Sequence, residues 1–375
     1  MRKYIATATL AAALAVGASQ TAQAESKGYI VSLWVPAMNN PDEKVECPQG
    51  KNAAAPEILT YTLNNQGMPK SEIDKIVTPE MSQRTFGEIA GARGRKDGKP
   101  VNVYMHPLSV PDPNIRLDQR AEGFGFNLDG KVEDLDYTDP ITKEAGVDNN
   151  AARVFGCFDR TRGTYEAPPG NQSFRWQNHY NAGASWLMEV TNNSDRPINW
   201  QNDDNITIKF YRGMQVPLWN SAGHQRNVTY TIDPHAELHV ANSFKGKIVN
   251  GEFVSDRTNH FKMIASSRVQ PVYDFKAAKM RATFKPNGDL EAFVGGYLPI
   301  KMVYFPFGDY ATAAEYIGGM DVPGVYHALK RLADTDIDAV NGQRTRISMT
   351  YMARAVPAYL VHTEQATNAK KSSRK

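Results

Sequence analysis

Two Asn-Gly pairs constrain this chain more than any other feature. In "GKIVNGEFV" Asn250 and Gly251 sit between two short β-branched runs, and in "AKMRATFKPNGDLEAFVGGY" Asn287 and Gly288 stand at the centre of "PNGD". Asn and Gly tolerate the left-handed backbone that a tight hairpin needs, so each pair predicts two adjacent antiparallel strands. The texture continues through "ASWLMEVTN", "NITIKFYRG", "NVTYTID", "AELHVAN" and "FKMIAS". These segments alternate apolar with polar residues or are rich in β-branched ones, and Asn, Asp, Gly or Pro separates them.

No βαβ rhythm interrupts the pattern. The expected class is mainly β: an antiparallel β-sandwich or barrel-like core with a loop-rich N-terminal region and one C-terminal helix. The helix is read near 322–333 in "DVPGVYHALKRLADTD", where Asp321 can cap and Val325, Tyr326, Leu329 and Leu332 share a face. The closing "TRISMTYMARAVPAYLV" reads as one or two further strands that return to the sheet. Between the first strand-like run, "YIVSLWVPA", and about residue 120, Pro, Asn, Gly and charge leave only weak periodicity around one short strand near Val101 to Met105.

The start of the chain reads as an export signal over 1–24, with a basic Arg2-Lys3, an apolar run and "AQA" ending at Ala24. No later stretch approaches the roughly 18 apolar residues of a spanning helix, so no membrane span is expected after cleavage. Localisation is expected to be periplasmic or secreted. Residues 25–160 then form the loop-rich, disulfide-tied region and 161–368 the antiparallel β domain, with a basic tail over 369–375. Formal net charge is +3, partly from the signal and the tail, so the folded body is close to neutral and no nucleic-acid partner is implied.

Two cysteines, Cys47 in "VECPQGKN" and Cys157 in "VFGCFDR", make an even pair in an exported chain and are expected to form a disulfide. Immediately before Cys157 lies "GFNLDGKVEDLDYTDPITKEAGVDNNAARVFGC", with seven carboxylates against two lysines. Asn127, Asp129 and Gly130 have the spacing of the middle of a calcium loop, and Glu133, Asp134 and Asp136 follow where further oxygen ligands would stand. A second cluster, Asp334, Asp336 and Asp338 in "ADTDIDAVNG", alternates after the C-terminal helix. Hard oxygen donors in flexible loops suit Ca²⁺ as a structural ion, and the same residues also suit solvated turns. Neither cluster has the full calcium-loop pattern: Gly125 stands at the first position and Asp136 at the closing one, while Ala339 and Thr345 occupy the Gly and Glu positions of the second.

A small-molecule or glycan site is expected first in "SFRWQNHYNAGASWLMEV", where Arg175, Trp176, His179, Tyr180 and Trp186 set aromatic faces beside polar donors. Strand-end core with ordinary surface partners is the favoured alternative for the same residues. His235 and His239 in "HAELH" are four apart on a strand-like run, roughly 13 Å along it, too far to share a metal. The chain has no Gly-x-Ser-x-Gly, no His-Glu-x-x-His and no phosphate-binding glycine loop, and no catalytic residue is assigned. The functional expectation is an exported, soluble, non-catalytic binding or structural protein stabilised by Ca²⁺, with a small molecule, a glycan or an envelope protein as partner. The alternative is a secreted or periplasmic hydrolase of a polysaccharide or another extracellular polymer.

Overall fold

The computed structural model describes residues 26–168, 185–194, 196–221, 223–235, 240–264, 272–309 and 311–362. The export signal, the basic tail and Arg175, Trp176, His179 and Tyr180 lie outside the described residues.

Eight strands of an eleven-stranded sheet close a ring: β1 (Ser26–Pro36), β2 (Trp186–Asn192), β3 (Asn202–Arg212), β4 (Ser243–Val249), β5 (Glu252–Ser255), β6 (Val272–Phe284), β7 (Leu290–Pro299) and β8 (Arg344–Val361); the strand Thr258–Ile264 also pairs with β6 and adds Phe261 and Met263 to the core. Each of the eight pairs antiparallel with the next of them in chain order, and β8 pairs back onto β1, from Gly28 opposite Ala358 to Pro36 opposite Tyr351. The sheet is therefore a closed up-and-down barrel. Both expected hairpins are present. Asn250 (φ 53°) and Gly251 (φ 83°) turn β4 into β5, and Gly288 (φ 88°) closes the turn between β6 and β7. The late segment is one long strand, and it completes the ring because its two edges serve β7 and β1 together.

A strand this long must keep its apolar side inward while its neighbours curve, and β-bulges reset the phase where it would slip. In β1 a bulge between Val31 and Leu33 lets Tyr29, Val31 and Trp34 all face inward while Leu33 and Val35 face out. In β6 a bulge between Lys276 and Lys279 does the same for Tyr273, Phe275, Ala278 and Met280, with Ala277 at φ 54° facing out. The interior is filled by aromatic rings. Trp34 stacks on Tyr351 at 5.2 Å and meets Trp186, Phe210 and Tyr273 edge-on.

Short helices cover the rest. Val322–Arg331, the expected C-terminal helix, starts where the Asp321 carboxylate accepts from the Gly324 N–H at 3.0 Å, and its Val325, Ala328 and Leu329 share one continuous core with the barrel. It is joined by Ile300–Asp309 and Ala311–Tyr316. Besides the single-turn helix Glu43–Glu46, the weakly periodic stretch holds the helices Ala55–Asn65, Lys70–Ile76 and Gln83–Gly91, packed around a small core of Leu59, Leu63, Ile73 and Phe86. The fully buried Glu315 ties this layer down, receiving both Arg93 guanidinium arms (2.5 and 3.0 Å) and the Tyr104 hydroxyl (2.7 Å).

Cys47 and Cys157 are bonded, linking residues 110 apart in sequence. Beside them the buried Glu46 carboxylate takes Arg120 at 2.8 Å and Arg162 at 2.7 Å, so the staple sits inside a paired-charge cluster. Closing a loop of that length is worth about 4–5 kcal/mol in chain entropy. The Cys47→Ala, Cys157→Ala double variant is expected to lose about 3–5 kcal/mol in urea unfolding while keeping its far-ultraviolet β signature; equal stability with and without the bond would show that the paired charges alone hold the region.

Candidate ligand cavity on the outer barrel wall

The acidic segment lies against the outside of β6, β7, β8 and β1. Its Phe124, Phe126 and Leu128 form one apolar layer with outward-facing Leu33, Val35, Phe293, Tyr297 and Met352. Contact is close enough to need glycine on the wall: a Cβ at Gly295 would stand 2.7 Å from the Phe126 ring and from the Thr350 hydroxyl. With little regular structure, the segment must satisfy its backbone polar groups another way. Its carboxylates and amides do this.

Asp139 is fully buried, and its Oδ1 accepts from the Ile141 and Thr142 N–H groups at 2.8 Å each. Its Oδ2 takes the Gly125 N–H (3.3 Å) and the Arg281 guanidinium of β6 (3.0 Å). Burial alone would raise this carboxyl, but the Arg281 charge and the backbone donors outweigh it and hold Asp139 below the usual carboxylate range. The run "GVDNN" stitches the segment to β8. Asp148 accepts from the Leu128 N–H (2.7 Å), and Asn149 donates to Phe124 O (2.8 Å) and accepts from the Thr350 N–H (3.2 Å). Asn150 donates to Asp334 Oδ1 at 2.6 Å, and its N–H meets the Ser348 hydroxyl at 2.8 Å.

The residues expected to hold calcium are placed by the same rule. Asn127 accepts from the Gly130 N–H, Asp129 from the Lys131 N–H and Asp136 from the Glu133 N–H, so each closes a local turn. The second cluster divides among separate partners: Asp334 bonds Asn150 and the Ser348 N–H, Asp336 pairs with Arg346 (2.9 Å) and Lys276, and Asp338 caps its own turn at the Val340 N–H. Glu133 and Lys131 stand 3.8 Å apart at the surface, and Asp134 is exposed. Among the described residues, no group of three or more His, Cys, Asp or Glu side chains is arranged to hold a metal ion. Trp186, grouped in the sequence with Arg175 to Tyr180, points into the barrel, buried edge-on against Trp34 and Tyr273. It serves the core.

Between the segment and the wall lies a cavity of about 460 Å³, lined by Phe124, Ile141 and Tyr165 on one side and by Glu252, Arg281, Lys285, Glu291 and Phe293 of the barrel on the other. Strand register explains the grouping. Glu252 of β5 opposes Thr283 of β6, Thr283 opposes Glu291 of β7, and Glu291 opposes Arg354 of β8, which makes one polar row across four strands. The neighbouring row sets Arg281 beside Phe293. The floor is aromatic: Phe124, Phe293 and Tyr165 form a three-ring cluster, with centroids 5.1 Å apart for Phe124–Phe293 and 6.1 Å for each ring to Tyr165, and Arg281 lies 5.2 Å from the Phe293 centroid.

The two carboxylates of the row differ in environment. Burial would raise Glu291, but Lys285 (2.6 Å), the Tyr165 hydroxyl and Arg354 (3.2 Å) hold it below its usual range. Burial pushes Glu252 up, because its cation, Arg281, stands 3.5 Å away and is closer to Asp139. None of the five residues Tyr165, Glu252, Arg281, Lys285 and Glu291 was singled out from the sequence. A signal for two of them exists: folding "RATFK" onto "LEAF" about the Asn-Gly turn places Arg281 opposite Phe293 and Glu291 opposite Thr283 on the outward face. No family model, no curated protein and no solved structure matches the chain.

The seam has a pH dependence of definite sign. Burial pushes Asp148 up to about 7, opposed by the Leu128 N–H and reinforced by the charges of Asp334, Asp129 and Asp136. Burial likewise pushes Asp334 up to about 6. Both values lie above the unfolded carboxylate value of about 3.9, so the fold prefers the protonated forms and their contribution is lost as pH rises through the folded values. Asp148→Asn, which keeps an acceptor for the Leu128 N–H, is expected to be more stable than wild type by about 1–3 kcal/mol at pH 8 and to differ little near pH 4. Paired urea titrations at the two pH values measure this; a variant weakened equally at both would contradict the assignment.

Proposed function

We propose that this chain is an exported, non-catalytic binding protein whose ligand seats in the cavity between the acidic segment and the outer wall of β5, β6 and β7. The observation that carries the reading is the composition of that cavity: an aromatic cluster of Phe124, Phe293 and Tyr165 beside a row of charged side chains. Its volume of about 460 Å³ falls within the range of small-ligand sites, and an apolar body with a few convergent polar groups is the usual composition of such sites. Among the described residues the barrel interior is filled by aromatic rings. Export is supported by the basic and apolar run over residues 1–24 and by a disulfide, which suits an oxidising compartment.

A hydrolase of an extracellular polymer is the second reading. It draws on one observation: Glu252 is pushed up and Glu291 held down on walls of the same cavity, the pattern of an acid and a base pair. The binding reading is preferred because Lys285, Arg354 and Tyr165 already engage Glu291.

Calorimetric titration of the mature, oxidised protein with a panel of neutral oligosaccharides, amino acids and short peptides tests the reading. At least one class should bind, and Tyr165→Ala should weaken it by about tenfold or more without shifting the melting temperature beyond a few degrees. Turnover of a polymer that Glu252→Gln abolishes would replace the binding reading with the hydrolase. An absence of binding across the panel, or binding indifferent to Tyr165, would remove this cavity from consideration.

A further inference from the structure

The charges around the cavity are unevenly placed. At the β5 end, Arg281 is taken by the buried Asp139 at 3.0 Å, which leaves Glu252 at 3.5 Å with a cation already in use. This end carries one carboxylate in excess. At the β7–β8 end, Glu291 is shared by Lys285 at 2.6 Å and Arg354 at 3.2 Å, so two cations meet one carboxylate. That end carries one cation in excess. Lys285 is also the movable partner: if its ammonium turns to a ligand, Glu291 keeps Arg354 and the Tyr165 hydroxyl, and no buried charge is stranded. Glu166 lines the cavity as an exposed residue, on the solvent side.

Glu252 and Glu291, the carboxylate that the Lys285 ammonium meets at 2.6 Å, stand two strands apart in the row Glu252, Thr283, Glu291, which puts their backbones about 10 Å from each other. Between them lies the ring cluster of Phe124, Phe293 and Tyr165, in which the two phenyl rings are buried against each other and Tyr165 is the half-buried member. Resting on the reading of this cavity as the ligand site, we propose that its ligand is a zwitterion, a short peptide of about three residues, with its ammonium at Glu252, its carboxylate at Lys285 and an apolar side chain on the aromatic floor. An extended chain advances about 3.3–3.6 Å per residue, so three residues bridge that distance. A neutral sugar would leave the Glu252 excess and the Lys285 excess unanswered. A simple anion would be repelled at the Glu252 end.

The test uses the mature, oxidised protein and calorimetry with Ala-Phe-Ala, its N-acetylated form and its C-terminal amide. The free tripeptide should bind, and blocking either end should weaken binding by about tenfold or more. Glu252→Gln should erase the penalty for N-acetylation and leave that for amidation; Lys285→Met should do the reverse. The blocked peptides need no variant to fold, so the ligand side of the test stands alone. Equal binding of free and blocked peptides, or tight binding of a neutral disaccharide with no peptide binding, would overturn the zwitterion while leaving the cavity as the ligand site. If no probe binds, both fall.

Discussion

The pair of Asp139 and Arg281 is the constraint on which the outer half of this molecule depends. A carboxylate taken wholly out of water is costly unless its lone pairs are filled, and here three backbone N–H groups and one guanidinium fill them. The arrangement works in both directions. Asp139 organises the turn at 139–144 and the entry of the segment at Gly125, and through Arg281 it fixes that turn to β6. Arg281 in turn lies over the rings of Phe293 (5.2 Å) and Phe126 (5.7 Å), so the same charge that anchors the segment meets the aromatic floor of the cavity. Without this docking the cavity would have one wall.

The wall itself exists because the barrel closes. In an open sheet β8 would present an edge, whereas here its two sides are occupied by β7 and β1 and the outward row from Glu252 to Arg354 is held in register. The bulges in β1 and β6 allow this closure while keeping large aromatics inside. The described cavity lies on the outer face, where hairpin residues alternate out of the core and a partly irregular segment supplies the opposite wall.

Much of the barrel was legible in the sequence, and the reasons are local. Asn250-Gly251 and Asn287-Gly288 announce turns by backbone chemistry, Asp321 announces a helix start, and the two cysteines are the only pair available. What was not legible depends on distant partners. The helices at 55–65 and 70–76 lack a capping side chain and are too short to be stable alone, so only packing on Leu59, Leu63 and Phe86 makes them helices. The acidic run is the most instructive case. Asn127, Asp129 and Asp136 have the composition of a cation loop, and that composition also serves a segment whose N–H groups have no strand to bond; in the fold each accepts from a neighbouring N–H. The cavity residues escaped notice because Glu252, Arg281 and Glu291 come from three strands and meet only once register is known.

The account turns on the claim that buried side-chain acceptors, with Asp139 first among them, dock the acidic segment onto a barrel that stands without it. Native-state hydrogen exchange, comparing wild type with Asp139→Asn, tests this directly. The account predicts lost protection at Gly125, Ile141 and Thr142, spreading to the amides of Leu128 and Asp148, while β2, β3 and β4 exchange as before. Protection unchanged at Ile141 and Thr142, or lost through the whole barrel together, would contradict it.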